Sequence, residues 1–359
     1  MAFLLSVHIG MKRDNSGQAG RPVYVAVDVG RSSLKFRCTY HPRHGSPFTH
    51  SMQVPTAVLE DTSGQFVLSD GLSYVKLSAP AQGSYLVGDP AVDTHSSDLI
   101  DFGESDSFHR YSLVFILWAV ARSVLAVQEA VRETPSSVEL ALALTGSNLD
   151  RKGWYAVQLV RQHNVSLFPD GVPVRLSFRI KEVYAFLQGY ASCLTSLKSK
   201  GDLTSGRRLL VVDVGRYTVD LCLVSSCTLS SHTTLNLGTN ELLPSVISKL
   251  RESGVTADKL AVERALVSGD ALRSLTSDPV DVRGIALSVA QPYFDRIGRH
   301  VVNFVAGAPL DGILLCGGGS RILESLFRES YHVPVTVPDS PVFANVEGMA
   351  SFLDMVEVR

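Results

Sequence analysis

Val27–Phe36 reads VDVGRSSLKF and Val212–Leu221 reads VDVGRYTVDL. Each copy sets an aspartate and then a glycine at the end of an apolar run: Asp28 and Gly30, then Asp213 and Gly215. The chemistry open to such a pair is the handling of an anion. Glycine at the bend of a hairpin lets backbone N–H groups come close to a charged oxygen. Arg31, Ser32 and Ser33 follow in the first copy, and Arg216, Tyr217 and Thr218 in the second, adding side-chain donors. An aspartate cannot bind phosphate directly, because like charges repel. A Mg²⁺ ion or its waters must stand between Asp28 or Asp213 and the phosphates. Lys35 adds a point charge for a β- or γ-phosphate in the first copy, and the second carries Asp220 beside Thr218. Two such hairpins facing each other would hold a triphosphate from both sides.

A third glycine cluster follows the apolar run Ile313–Cys316. Gly317, Gly318 and Gly319 lead into a helical pattern, and suit close approach of a flat base and ribose to the backbone. No Gly-Lys-Ser/Thr follows, so this is not a Walker A loop, and the spacing is not GxGxxG.

The elements that must carry these residues follow from periodicity. β-Branched runs predict strands over Val23–Val29 and Leu34–Thr39, with further strands at Phe66–Leu68, Ser84–Val87, Val138–Leu144 and Val174–Ile180. Helical spacing predicts helices over Tyr111–Arg132, Asp150–His163 and Val183–Lys198, the last opened by Glu182. The polar stretch Ser199–Arg208 then marks a lobe boundary. After it the pattern repeats: strands Leu209–Val214 and Val219–Val224, helices Asn240–Ser253, Asp258–Leu266 and Arg283–Phe304, strand Ile313–Cys316, and helices Arg321–Glu329 and Phe343–Val356. A duplication at about half the chain is too long a period for a solenoid and suits two similar α/β lobes.

Composition narrows the function. The 359 residues are 45% hydrophobic and carry a net charge of −2, so there is no polybasic signature for nucleic acid or anionic lipid. Five scattered cysteines without CxxC spacing read as reduced thiols, and the histidines form no HExxH, so a metal held by protein ligands alone is not expected. Residues 1–22 read as a flexible leader without a targeting signal. Leu113–Ala121 is too short to span a bilayer and reads as a buried helix. A cytoplasmic protein without a membrane partner is the expectation.

In order and spacing, the motifs resemble the actin-like ATPase superfamily, which includes actin, the seventy-kilodalton heat-shock chaperones and sugar kinases. Asp28–Lys35 looks like its first phosphate motif, Asp213–Asp220 like its second and Ile313–Ser320 like its adenosine motif. Glu182–Ala185 and Ala344–Gly348 fall where its two connecting helices begin. Within the superfamily the sequence is most similar to plasmid-segregation actins of the ParM (StbA) type. Val54-Pro55, Tyr85–Ala91 and Phe343–Gly348 carry that likeness, which runs from Val23 to Phe352.

The resemblance implies an α/β, actin-like fold: two facing ribonuclease-H-like lobes with a nucleotide cleft between them. Residues 23–203 and 337–359 would form domain I, and residues 204–336 domain II. It implies ATP or GTP with Mg²⁺, held through water by Asp28 and Asp213. Glu182, assisted by Asp213, would polarise the attacking water. Lys249 would contact the base or ribose. Lobe closure would couple hydrolysis to head-to-tail filaments that segregate plasmid DNA through an adaptor protein, without direct nucleic-acid contact. The alternatives are a non-polymerising actin-fold ATPase or sugar kinase, a stable scaffold filament with weak hydrolysis, and a membrane-bound actin anchored by Met1–Met11. Two departures stand out. Arg31 and Arg216 occupy positions that are small or amide-bearing in the family. An arginine there can bind the terminal phosphate, point away or crowd the nucleotide. The proline usual after Glu182 is also missing.

Overall fold

The computed structural model describes residues 21–61, 73–93, 100–101, 108–145, 150–197, 207–226, 228–273 and 278–357. The expected strand Phe66–Leu68 lies outside them. The chain divides into two compact units, one of Met1–Lys198 with Asn345–Arg359 and one of Ser199–Ala344.

The first unit is built on β1 (Val23–Val29), β2 (Ser33–Tyr40), β3 (Phe48–Pro55), β4 (Ala57–Glu60), β5 (Tyr74–Leu77), β6 (Gly83–Val87), β7 (Ile100–Asp101), β8 (Val138–Leu144), β9 (Gln162–Leu167) and β10 (Val174–Leu187). They form one mixed sheet in the order β3-β2-β1-β8-β10-β9-β5-β6-β4-β7. Its helices are α1 (Asp89–Asp93), α2 (Phe108–Val131) and α3 (Lys152–Leu159), followed by a 3₁₀ segment, Tyr190–Leu197. Every residue of β1 is buried, which is why VYVAVDV needs no polar face. Tyr111–Val131 is long and apolar enough to cross a bilayer. Here it is a core helix, with Phe115, Ile116, Leu117 and Trp118 buried and Trp118 meeting Phe36 edge-on at 5.9 Å.

Two expectations fail in this unit. The helix predicted over Asp150–His163 stops at Leu159, and Gln162–Leu167 turns back as β9 against β10. The strand predicted to end at Ile180 continues to Leu187, in place of a helix from Val183. Val183–Leu187 is buried at every position and pairs with β8, while Tyr184 and Phe186 take Phe352 between them at 5.2 and 5.0 Å. A run buried on both faces is a central strand, and periodicity cannot separate it from a buried helix.

The second unit repeats the plan with β11 (Arg208–Val214), β12 (Val219–Ser225), β13 (Thr228–Leu235), β14 (Gly312–Cys316) and β15 (Val335–Thr336), in the order β13-β12-β11-β14-β15. Its helices are α4 (Leu243–Glu252), α5 (Lys259–Ser268), α6 (Val282–Val289), α7 (Gln291–Val305) and α8 (Ser320–Ser330). The single helix predicted over Arg283–Phe304 is two, α6 and α7, meeting at Ala290. Pro292 is the cause: it has no N–H to continue α6, and fits the first turn of α7. The chain then returns to the first unit as α9 (Ala344–Glu357). Asn345 accepts the Gly189 N–H at 3.0 Å, and Gly348 lies so close to the Ala191 carbonyl that a Cβ would collide with it.

Candidate functional site

The two sheets carry the same hairpin. In the first, β1 and β2 pair Asp28 with Lys35, and the Gly30 N–H closes the turn on the Ser33 carbonyl at 3.1 Å. In the second, β11 and β12 pair Asp213 with Asp220, and the Gly215 N–H closes on the Thr218 carbonyl at 2.8 Å. Each aspartate ends a strand that runs parallel to its neighbour, β8 or β14, where open α/β sheets place ligands.

Asp28 is buried, and both of its carboxylate oxygens are engaged. Lys35 Nζ stands 3.5 Å from Oδ2, and Gln188 Nε2 donates to Oδ1 at 2.7 Å. Gln188 follows directly on β10, and its own N–H is fixed by the Leu144 carbonyl at 2.8 Å. The turn is braced from just beyond β3: Thr56 donates its hydroxyl to the Gly30 carbonyl at 2.6 Å and its N–H to the Ser32 carbonyl at 3.1 Å. Ser32 and Ser33 are half-buried, and Arg31 is exposed.

The second hairpin is braced by other means. Asp220 is buried and accepts the Thr234 hydroxyl at 2.5 Å and the Thr218 hydroxyl at 3.4 Å. Arg216 pairs with Glu263 of α5 at 2.8 Å and lies 4.9 Å over the Tyr217 ring. Thr239 and Asn240 donate their N–H groups to Gly215 and Arg216 at 3.0 and 2.9 Å, and only glycine fits at 238 against the Arg216 carbonyl.

Beside it, β14 places Cys316 in register with Asp213. Gly317 takes φ +81°, and a Cβ there would collide with the Asp213 carboxylate. Gly319 donates to the Val214 carbonyl at 2.9 Å and leaves no room for a Cβ against Val214 and Thr239. Gly317 and Gly319 are thus required by the chain's own packing. Gly318 faces open space, so of the three it leaves room for a ligand.

The structure moves Glu182 from the position expected of it. It does not open a helix; it sits inside β10, in register with Glu139, and accepts a hydrogen bond from Tyr184. Asp28 is in register with Ala143 and Phe186, so Glu182 lies four positions back along the sheet, about 13 Å. The residue beside Asp28 is Gln188, not Glu182. The signal for it was a polar residue and a glycine, Gln188-Gly189, ending an apolar run, as Asp28 and Gly30 end theirs. Lys249 is half-exposed on α4 and pairs with Glu252 at 2.9 Å. Thr56, Thr234 and Glu263 also brace the hairpins, and nothing local in the sequence marked them.

The residues suit a phosphate-bearing ligand. In the first unit the Gly30 turn offers backbone donors and Lys35 supplies a cation; in the second the Gly215 turn offers backbone donors and Gly318 leaves an open backbone surface. Among the described residues no three His, Cys, Asp or Glu side chains group to hold a metal. A divalent ion here would take its remaining ligands from water and phosphate.

No protein-family model matches the sequence, and no curated protein matches it. Solved structures do. Bacillus thuringiensis ParM with ATP is 14% identical, with a TM-score of 0.68 over 94% of this chain and 100% of its own. The archaeal actin homologue Ta0583 is 16% identical, with a TM-score of 0.70 over 93% and 100%. The Alp12 filament structure is 15% identical, with a TM-score of 0.64 over 94% and 100%. The fold is actin-like. Within this actin-like fold, the repeated Val-Asp-Val-Gly-Arg is one hairpin in each of the two units.

Proposed function

We propose that this chain is a Mg²⁺-dependent nucleoside triphosphatase that polymerises head to tail, and that its filaments segregate plasmid DNA through an adaptor protein. The observation that carries the reading is the duplicated hairpin, with Asp28 and Asp213 in the same place at the ends of β1 and β11. The neighbours solved with ATP and as a filament support it, and make ATP the first nucleotide to test.

In this reading one nucleotide engages both hairpins. The Gly30 and Gly215 turns and Lys35 neutralise phosphate charge, and Asp28 and Asp213 orient the water shell of the ion. Mg²⁺ would supply charge neutralisation of the phosphate oxygens. Gln188 holds a position from which an amide can orient the attacking water, because its N–H group donates to Asp28 Oδ1 and fixes the amide beside the end of β1. Arg216 is tied to Glu263 and Tyr217, so its part is to hold the turn.

Right-angle light scattering, with phosphate release followed in the same cuvette, tests the function. Scattering that rises on Mg-ATP and decays as phosphate appears is expected. Phosphate release without scattering at any protein concentration would replace it with a soluble enzyme. Scattering that persists with little phosphate would replace it with a stable scaffold.

A further inference from the structure

Away from the hairpins, the first unit carries a sheet face of one-sided composition. In register, Ser84 of β6 pairs with Lys76 of β5, Lys76 with Ser166 of β9, and Ser166 with Arg175 of β10. Register partners share a face, so hydroxyls and cations alternate across four strands. The backbones of Lys76 and Arg175 are two strand spacings apart, about 10 Å, within which both long side chains can converge. One row along, Asn164 pairs with Ser177 and accepts its hydroxyl at 2.9 Å through Oδ1, which leaves the amide NH₂ to donate elsewhere. With the turn that joins β5 to β6, these residues line a cavity of about 660 Å³.

No aspartate or glutamate lines that cavity, and among the described residues neither Lys76 nor Arg175 has an ion-pair partner. Asp61, the acid bonded to Tyr74 of β5, is already engaged there at 2.7 Å. Solvent-facing strands ordinarily mix the signs of their charges. Lysine that guards an exposed sheet edge is a separate device. It does not account for Lys76, because β5 is paired on both sides.

An ammonium, a guanidinium fork, hydroxyls and an amide N–H, with no carboxylate in the lining, fit a ligand made of acceptor oxygens. The cavity is in the size range of small-molecule sites, which favours a compact ligand over a nucleic-acid backbone. We propose that this face is a second anion site, for small ligands carrying two or more linked phosphate groups. It stands on residues separate from the hairpins and does not depend on the function proposed for them.

Calorimetric titration of the full chain with tripolyphosphate, at low salt and without nucleotide or Mg²⁺, tests it. The comparison is between wild type, Lys76→Gln/Arg175→Gln and Lys35→Gln. The double variant is expected to lose affinity about tenfold or more, since two charge-assisted contacts go. Its melting temperature should not move, because both side chains are exposed. Lys35→Gln should keep the part of the binding that the double variant loses. Equal binding by the double variant and wild type, no binding by wild type, or loss in Lys35→Gln alone would each overturn the proposal. A short DNA duplex that binds more tightly than tripolyphosphate through the same two side chains would overturn the small-ligand assignment.

Discussion

Asp28 gathers the chemistry of the first hairpin because it is buried and held at both oxygens, by Lys35 and by Gln188. A carboxylate so held keeps its direction when a ligand arrives. Gln188→Ala is therefore expected to leave Mg-ATP affinity within a few-fold of wild type and to lower phosphate release about a hundredfold, the usual scale for a water-orienting group. Single-turnover phosphate release checks it; an unchanged rate would remove Gln188 from the mechanism. Glu182→Ala should leave that rate unchanged, since Glu182 lies well back along the sheet. Glu139 makes a separate prediction. Burial, and then the neighbouring Glu182, raise its carboxyl above the usual range, and its Oε2 has no hydrogen-bond partner. A raised value means that the fold favours the protonated form, so the stability tied to it is present in acid and lost as pH rises through the raised value. Glu139→Gln should accordingly raise the melting temperature at pH 7 and bring no gain near pH 4. The hairpin aspartates and glycines were legible in the sequence because turn chemistry is local. Gln188 was not, because its role depends on how far β10 runs beside β8.

The second hairpin is an element held by its neighbours. Arg216 reaches Glu263, and the loop before α4 packs its glycine against the turn. The Arg216–Glu263 pair is part-buried, so Glu263→Ala leaves a guanidinium without its partner and should cost about 1–3 kcal/mol. Denaturant unfolding of the variant measures it, and no change would show that the pair braces nothing. Gly348→Ala is the corresponding test of α9. Its Cβ would strike the Ala191 carbonyl, and backbone cannot yield as a side-chain tip can. The variant should lose about 2 kcal/mol or more, or fail to fold. Strands and helices with strong apolar patterns were readable: α2, β8, β11 and β14 all stand close to where periodicity put them. β9 and β13 were missed because half or more of their residues face solvent and are polar, which leaves no apolar run to find. The break between α6 and α7 was missed although Pro292 marks it, because the apolar spacing continues across it.

Across the whole molecule, one plan is used twice. Each unit carries a sheet whose central parallel strand ends in aspartate and turns on glycine, and we propose that a single Mg-nucleotide is taken by both. On that proposal, polymerisation depends on nucleotide. Asp28→Ala and Asp213→Ala should each abolish the Mg-ATP-dependent rise in scattering, while the fold, read by circular dichroism, is kept.

The most direct measurement of the central claim is a titration of the chain with Mg-ATP, monitored by calorimetry, for wild type, Asp28→Ala and Asp213→Ala. One nucleotide per chain is expected, with a loss of affinity of about tenfold or more in both variants, since each removes one hold on the hydrated ion. Wild-type affinity in either variant, or two nucleotides bound per chain, would contradict it.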